Sequence, residues 1–396
     1  MKKKIFFVLL IAFNLFGTNY AKSINCEEVL LHCGNTPSGT FDKNNILWIA
    51  YEYNNHIYVI KSGDLGRSFS KPIRVNTIPH EIYTNGENRP KIKVKQTGEV
   101  FVTWAEKTKG RFSGDIRFSR SLDQGKTFSE PIIINTDRSL IGHRFDALHL
   151  NKKGDLFIAW FDKRDKQEAK SNDISYRGTA LYYIYSHDNG ETFSENIKLA
   201  DHTCECCRIT VDNDTNNNIH YLWRHIFNTN TRDHALITIN SDKLVSKMNR
   251  VSFDEWHIDS CPHHGPDMTI NEEDRIFYTW FSQGEKNKGI MFGEYDIKND
   301  VITNTQSTDS TGTASHPNII SFNDKLYHVW KRFSGEETYI IGRISSDWGE
   351  SWSRDIIIKS TSNASDHPLL IKDSKSVYLS WHTKNEGYTL TPILNM

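Results

Sequence analysis

The residues best suited to chemistry in this 396-residue chain sit in two short segments. Cys204-Glu205-Cys206-Cys207 crowds three cysteines into four residues, and Cys261-Pro262-His263-His264-Gly265-Pro266 adds a fourth cysteine and two histidines. Thiolate sulfur with imidazole nitrogen is the donor set of a soft or borderline metal such as copper(I) or zinc(II). The same cysteines suit disulfides, for example Cys206 or Cys207 with Cys261, and their spacing follows no zinc-finger pattern. Arg89, Arg144 and Arg208 carry the fork that recognises a carboxylate. His316 and His367, each followed by a proline, are candidates for ligand binding, because neutral imidazole both coordinates metals and moves protons.

The rest of the chain bounds what these groups can do. Lys+Arg 48 against Asp+Glu 49 leaves a formal net charge of −1, which excludes a nucleic-acid binder held by charge alone. Hydrophobic residues at 37% with aromatics at 12% describe a folded chain and not a disordered one. Lys2, Lys3 and Lys4, an apolar run from Ile5 to Phe16 and a polar end through Ser23 read as a secretory signal peptide over residues 1–23. That run is too short for a membrane span, and no later stretch approaches the roughly 20 apolar residues a span needs. The expectation is a soluble exported protein, periplasmic or extracellular, with one domain over residues 24–396. Cysteines in such a compartment pair by default, and Cys26 with Cys33 is expected to form a staple.

Seven repeats position the chemistry. Each runs from a Pro or His start through an apolar alternation and a polar turn into a strand ending in an aromatic: Tyr51, Trp104, Trp160, Trp223, Trp280, Trp330 and Trp381. Pro37, Pro90, Pro266, Pro317 and Pro368 stand ahead of first strands, where proline is tolerated. Four repeats also carry Ser-x-Asp-x-Gly-x-Ser/Thr-aromatic, centred on Asp64, Asp123, Asp188 and Asp347. This is a hairpin turn in which the carboxylate accepts backbone N–H bonds and the glycine takes a positive φ.

With these motifs the chain resembles the Asp-box (bacterial neuraminidase repeat) proteins with sialidase-like β-propellers. Its Cys-x-Cys-Cys and Cys-Pro-x-x-Gly-Pro segments look like those of an exported subgroup. The resemblance implies an all-β propeller whose Asp-box aspartates are structural and lie away from the ligand face. Seven first and second strand pairs predict seven blades, or six if the terminal repeats merge. The last repeat has room for three strands, so residues around Glu27 to Leu31 are expected to supply its outer strand.

In a propeller the loops leading into the innermost strands converge on one mouth. The expected function is a central Arg/His/Cys-lined pocket that binds a glycan or a metal ion. An exo-sialidase or related glycosidase is the enzyme alternative, and a protein-interaction scaffold the third. The resemblance assigns a sialidase three arginines, a Tyr–Glu pair and an Asp acid/base. Arg89, Arg144, Arg208 and Asp146 are the matches, and no residue pair answers to the Tyr–Glu.

Overall fold

Each of the seven runs ending in an aromatic forms the second strand of an antiparallel sheet in the computed structural model, which describes residues 31–393. The first blade is built from Asn35–Phe41, Leu47–Tyr53, His56–Ser62 and Ile73–Arg74, and the second from Lys91–Val94, Val100–Lys107, Gly114–Ser121 and Ile132–Ile133. Blades three to six begin at His143–Leu150, Thr210–Asn213, Asp267–Ile270 and Ala314–Phe322, and each has four strands. The seventh has three, Leu369–Lys372, Val377–Thr383 and Gly387–Pro392. Every first strand contacts the next, and Leu369–Lys372 contacts Asn35–Phe41, so the ring closes on itself. The chain is an all-β, seven-bladed propeller. No helix among the described residues is long and apolar enough to cross a membrane.

The core lies between blades. Trp48, Ala50 and Val59 of blade one pack with Ile92, Val102 and Trp104 of blade two, and the same sharing recurs around the ring. All seven terminal aromatics are buried, which is what the alternation demanded of a strand covered on both faces. Pro90, Pro266 and Pro368 directly precede first strands, whereas Pro37 and Pro317 sit inside them at register shifts between Asn35 and Ser38 and between Ser315 and Asn318. A bulge suspends the ladder at the one residue that has no N–H to give.

Two expectations are corrected. Leu31 does not extend blade seven as a strand: Leu31–Cys33 is a single 3-10 turn lying against Gly387–Pro392, and no fourth strand joins that blade among the described residues. The helix Arg164–Ser171, between the second and third strands of blade three, was not anticipated; its good helix formers bury only Ala169 and so carry no apolar stripe. The leader segment and Cys26 lie outside the described residues. Cys33 is disulfide-bonded.

The Asp-box turns join third to fourth strands. Asp64 accepts hydrogen bonds from the Ser68 N–H at 2.8 Å, the Ser68 hydroxyl at 2.6 Å and the Ser62 hydroxyl at 2.7 Å, and this pattern repeats at Asp123, Asp188 and Asp347. Those donors, the Ser68 side chain first, hold the Asp64 carboxyl down at about 2. The turn glycines also press on the preceding blade. Gly190 has φ +73, and a Cβ there would meet Phe118 of blade two at 2.4 Å. Gly190→Ala is therefore expected to cost about 1–3 kcal/mol, combining positive-φ strain with overpacking. The urea midpoint measures it, and an unchanged midpoint would show that the turn relaxes freely.

Candidate functional site

Strand direction sorts the loops onto two faces. Connections into first strands share one face, the entrance, with the turns between second and third strands; the Asp-box turns occupy the other. The entrance therefore gathers residues 86–90, 203–209, 261–266, 313–317 and 363–368, which are remote in sequence.

At its centre stand Glu87, His264, His316 and His367. His264 Nδ1 lies 3.2 Å from His316 Nε2, and the His316 ring stacks on His367 with centroids 3.6 Å apart. Glu87 Oε1 accepts the Gly265 N–H at 3.1 Å and lies 3.9 Å from His367 Nδ1. Gly86 permits this approach, since a Cβ there would meet the His367 ring at 2.2 Å. Burial, then the neighbouring His316 and Arg224, pushes the His264 imidazole down to about 2. Burial with Lys331 and Arg208 takes His316 to about 3, and His367 falls well below its ordinary value for the same first reason. All three rings are thus neutral, the form that accepts a proton or coordinates a metal. Glu87 Oε2, His316 Nδ1 and His367 Nδ1 are buried without a hydrogen-bond partner, and Glu87, His316 and His367 each offer a ligand atom within 4.8 Å of one another. Glu87 Oε2 has Arg208 Nη1 as an ion-pair neighbour at 3.6 Å.

The three candidate arginines part company. Arg89 pairs with Asp366 at 2.5 Å and donates to the Pro37 carbonyl at 3.0 Å and the Gly86 carbonyl at 2.7 Å, tying blades two, one and seven together. Arg208 donates to the Pro266 carbonyl at 2.9 Å and the Pro317 carbonyl at 3.0 Å, linking blades four, five and six. Arg144 instead lies over the rings of Tyr83, Phe112 and Phe145 at 5.0, 5.5 and 5.1 Å. Arg111 covers Phe112 at 5.0 Å. Neither Arg144 nor Arg111 has a carboxylate within ion-pair distance among the described residues, and Phe112 is 53% exposed. The result is a ledge of aromatic faces and unpaired guanidinium groups on the entrance. Arg111, Phe112, Tyr83, Glu87 and Lys331 were missed in the sequence, where only residues immediately before first strands stood out.

Asp146 faces inward, accepting from the Thr103 hydroxyl at 2.6 Å and from Lys91 Nζ at 3.2 Å. Burial pushes the Lys91 ammonium below its ordinary value, against the pull of Asp146. His143 is fully buried beside Asp115, Asp137 and Asp162 at 3.4, 3.5 and 3.6 Å. Burial opposes its charge, but Asp115, Asp162 and the Gly114 carbonyl outweigh burial and raise it.

Cys204, Cys206, Cys207 and Cys261 are free thiols, not the disulfides expected by default. Cys204 Sγ lies 3.4 Å from Cys207 Sγ and 3.9 Å from Cys206 Sγ, beyond the roughly 2.05 Å of a bond. The two histidines grouped with them in sequence do not join them as one donor set. His264 belongs with His316, and the His263 ring lies 6.3 Å from that of Phe145.

The opposite mouth holds a cavity of about 640 Å³ lined by Lys152, Asp212, Glu272, Asp324, Lys372 and Asp373 among others, with no His, Cys or Arg in its wall. Chemistry therefore concentrates on the entrance.

No protein-family model matches the chain, and no curated protein matches it. Among solved structures, a PL25 ulvan lyase bound to -[GlcA(1-4)Rha3S]- superposes with a TM-score of 0.59 at 12% identity, covering 91% of this chain and 94% of its own. A protein of unknown function from Dyadobacter fermentans DSM 18053 gives 0.53 at 13% identity, covering 79% and 94%. The Hadza microbial sialidase Hz136 gives 0.49 at 14%, covering 88% and 73%. The chain thus resembles carbohydrate-active enzymes in fold, and no family match reaches the Asp-box subgroup.

Proposed function

We propose that this protein is an exported carbohydrate-active propeller that takes an acidic glycan on its entrance face. The observation that carries the reading is Arg144, a guanidinium within about 5 Å of the Tyr83 and Phe145 rings with no carboxylate at ion-pair distance among the described residues. A sugar carboxylate would pair with that fork, and the exposed face of Phe112 would take the apolar face of a sugar ring. The PL25 lyase, which shares the fold, holds a ligand containing GlcA. The exo-sialidase reading needs three arginines on one carboxylate, and Arg89 and Arg208 already serve backbone carbonyls and Asp366. Asp146, its acid/base, is likewise engaged by Lys91 and Thr103.

The test is incubation of the full chain with uronate polysaccharides and with sialosides. The products are read both as ultraviolet-absorbing unsaturated ends and as new reducing ends. Cleavage of a uronate polymer is the expected result; sialic acid release would move the assignment to the glycosidase. If no acidic glycan is bound or cleaved, the reading falls and a protein-interaction scaffold takes its place.

A further inference from the structure

Cys204, Cys206 and Cys207 are all buried in the turn that leads into blade four. Their sulfurs lie within 4.8 Å of one another, and Cys261, on the exposed loop ahead of blade five, neighbours Cys206 but stands outside that group. Sulfurs around a tetrahedral metal at about 2.3 Å stand roughly 3.8 Å apart, and the separations of 3.4 and 3.9 Å straddle that spacing.

The surrounding charge is the second observation. Arg224 is fully buried, stacked on Trp256 at 4.6 Å, and donates to the Phe281 carbonyl at 2.6 Å and to Cys207 Sγ at 3.5 Å. Arg232 donates to Cys204 Sγ at 3.5 Å. No carboxylate pairs with Arg224 among the described residues, and of the two acceptors it donates to, the Cys207 sulfur is the one able to carry its counter-charge. A buried unpaired guanidinium is costly, and thiolates remove that cost. Several thiolates in van der Waals contact repel one another unless a cation lies between them.

We propose that Cys204, Cys206 and Cys207, with Cys261 as an outer fourth ligand, form a binding site for a thiophilic d10 metal ion, copper(I) or zinc(II). Copper(I) on three thiolates beside two guanidinium groups is electrically neutral, and so is zinc(II) on four. The exposed Cys261 is where the ion enters. The site is separate from the Glu87, His316 and His367 set and independent of the carbohydrate reading.

The experiment is native mass spectrometry of the full chain purified without chelator, with a free-thiol count and a cobalt(II) titration. A retained copper or zinc ion is expected in the wild type and in His316→Ala, and lost in the double variant Cys206→Ala/Cys207→Ala. Cobalt(II) is expected to give a thiolate-to-metal charge-transfer band in the near ultraviolet. Cys261→Ser separates the ions: copper(I) on three sulfurs stays bound, whereas zinc(II) is lost. Should the double variant fail to fold, the wild-type cobalt band and thiol count decide alone. Four unpaired thiols with no retained ion and no band, or a Cys204–Cys207 disulfide in the isolated protein, would overturn the proposal.

Discussion

Taking the protein from about pH 7.5 to about pH 5 is expected to remove several kcal/mol of its unfolding free energy through imidazoles held neutral by burial, three of them at the entrance. His264, His316 and His367 are buried where protonation is suppressed, at about 2 and about 3 for the first two and well below the ordinary value for the third. In the unfolded chain each titrates near 6.5. Below that value the unfolded state binds protons that the folded state refuses. The stability these groups contribute is therefore complete above about pH 6.5 and is lost as pH falls towards their folded values, at up to about 1.4 kcal/mol per group per pH unit. His143 works the other way, since its raised value stabilises the fold at low pH and loses that effect as pH rises through the folded value, but it stands against these three and against His149, His225, His234 and His328, which burial lowers in the same way. Urea midpoints across this range measure the slope. His316→Asn should remove one proton's share of it, and a slope unchanged in that variant would refute the assignment.

The second large effect separates two arginines that look alike in the sequence. Arg89→Ala is expected to destabilise the fold by about 3–5 kcal/mol, because it leaves Asp366 buried without its partner. It also strands the Pro37 and Gly86 carbonyls at the junction of blades one, two and seven. Closure there rests on such contacts and on pairs such as Asn45 with Ser374 at 2.8 Å. Arg144→Ala breaks no ion pair and is expected to stay within about 1 kcal/mol of wild type in stability. It should still weaken acidic-glycan binding at least tenfold, the order expected for losing a charged hydrogen-bonding partner. Denaturant midpoints and binding isotherms on both variants decide the matter. Equal destabilisation, or equal affinity for the glycan, would remove the distinction between a tie and a ligand-facing group.

What the sequence determined by itself is what short-range physics controls. Strand alternation ending in Trp104, Trp160 or Trp330 and the Asp-box frame around Asp64, Asp123, Asp188 and Asp347 are local and were readable as blade and turn, whereas the bulges that take Pro37 and Pro317 inside their strands were not. Seven copies of one unit then leave a closed ring as the way to cover every sheet face. The helix Arg164–Ser171 escaped because a polar surface helix leaves no periodic apolar signal. The conformation of Leu31 escaped because the chain there answers to blade seven and not to its own residues. The chemistry of the entrance was only half legible. His316, His367 and the cysteines announce themselves by type, but the stack of His316 on His367 and the meeting of Glu87 with His367 bring together blades two, six and seven. Which arginine is free, and whether four thiols are bonded or merely adjacent, depends on what lies opposite each side chain across the ring. Only the closed tertiary structure decides that, because those partners are set by ring closure and not by neighbours in the chain.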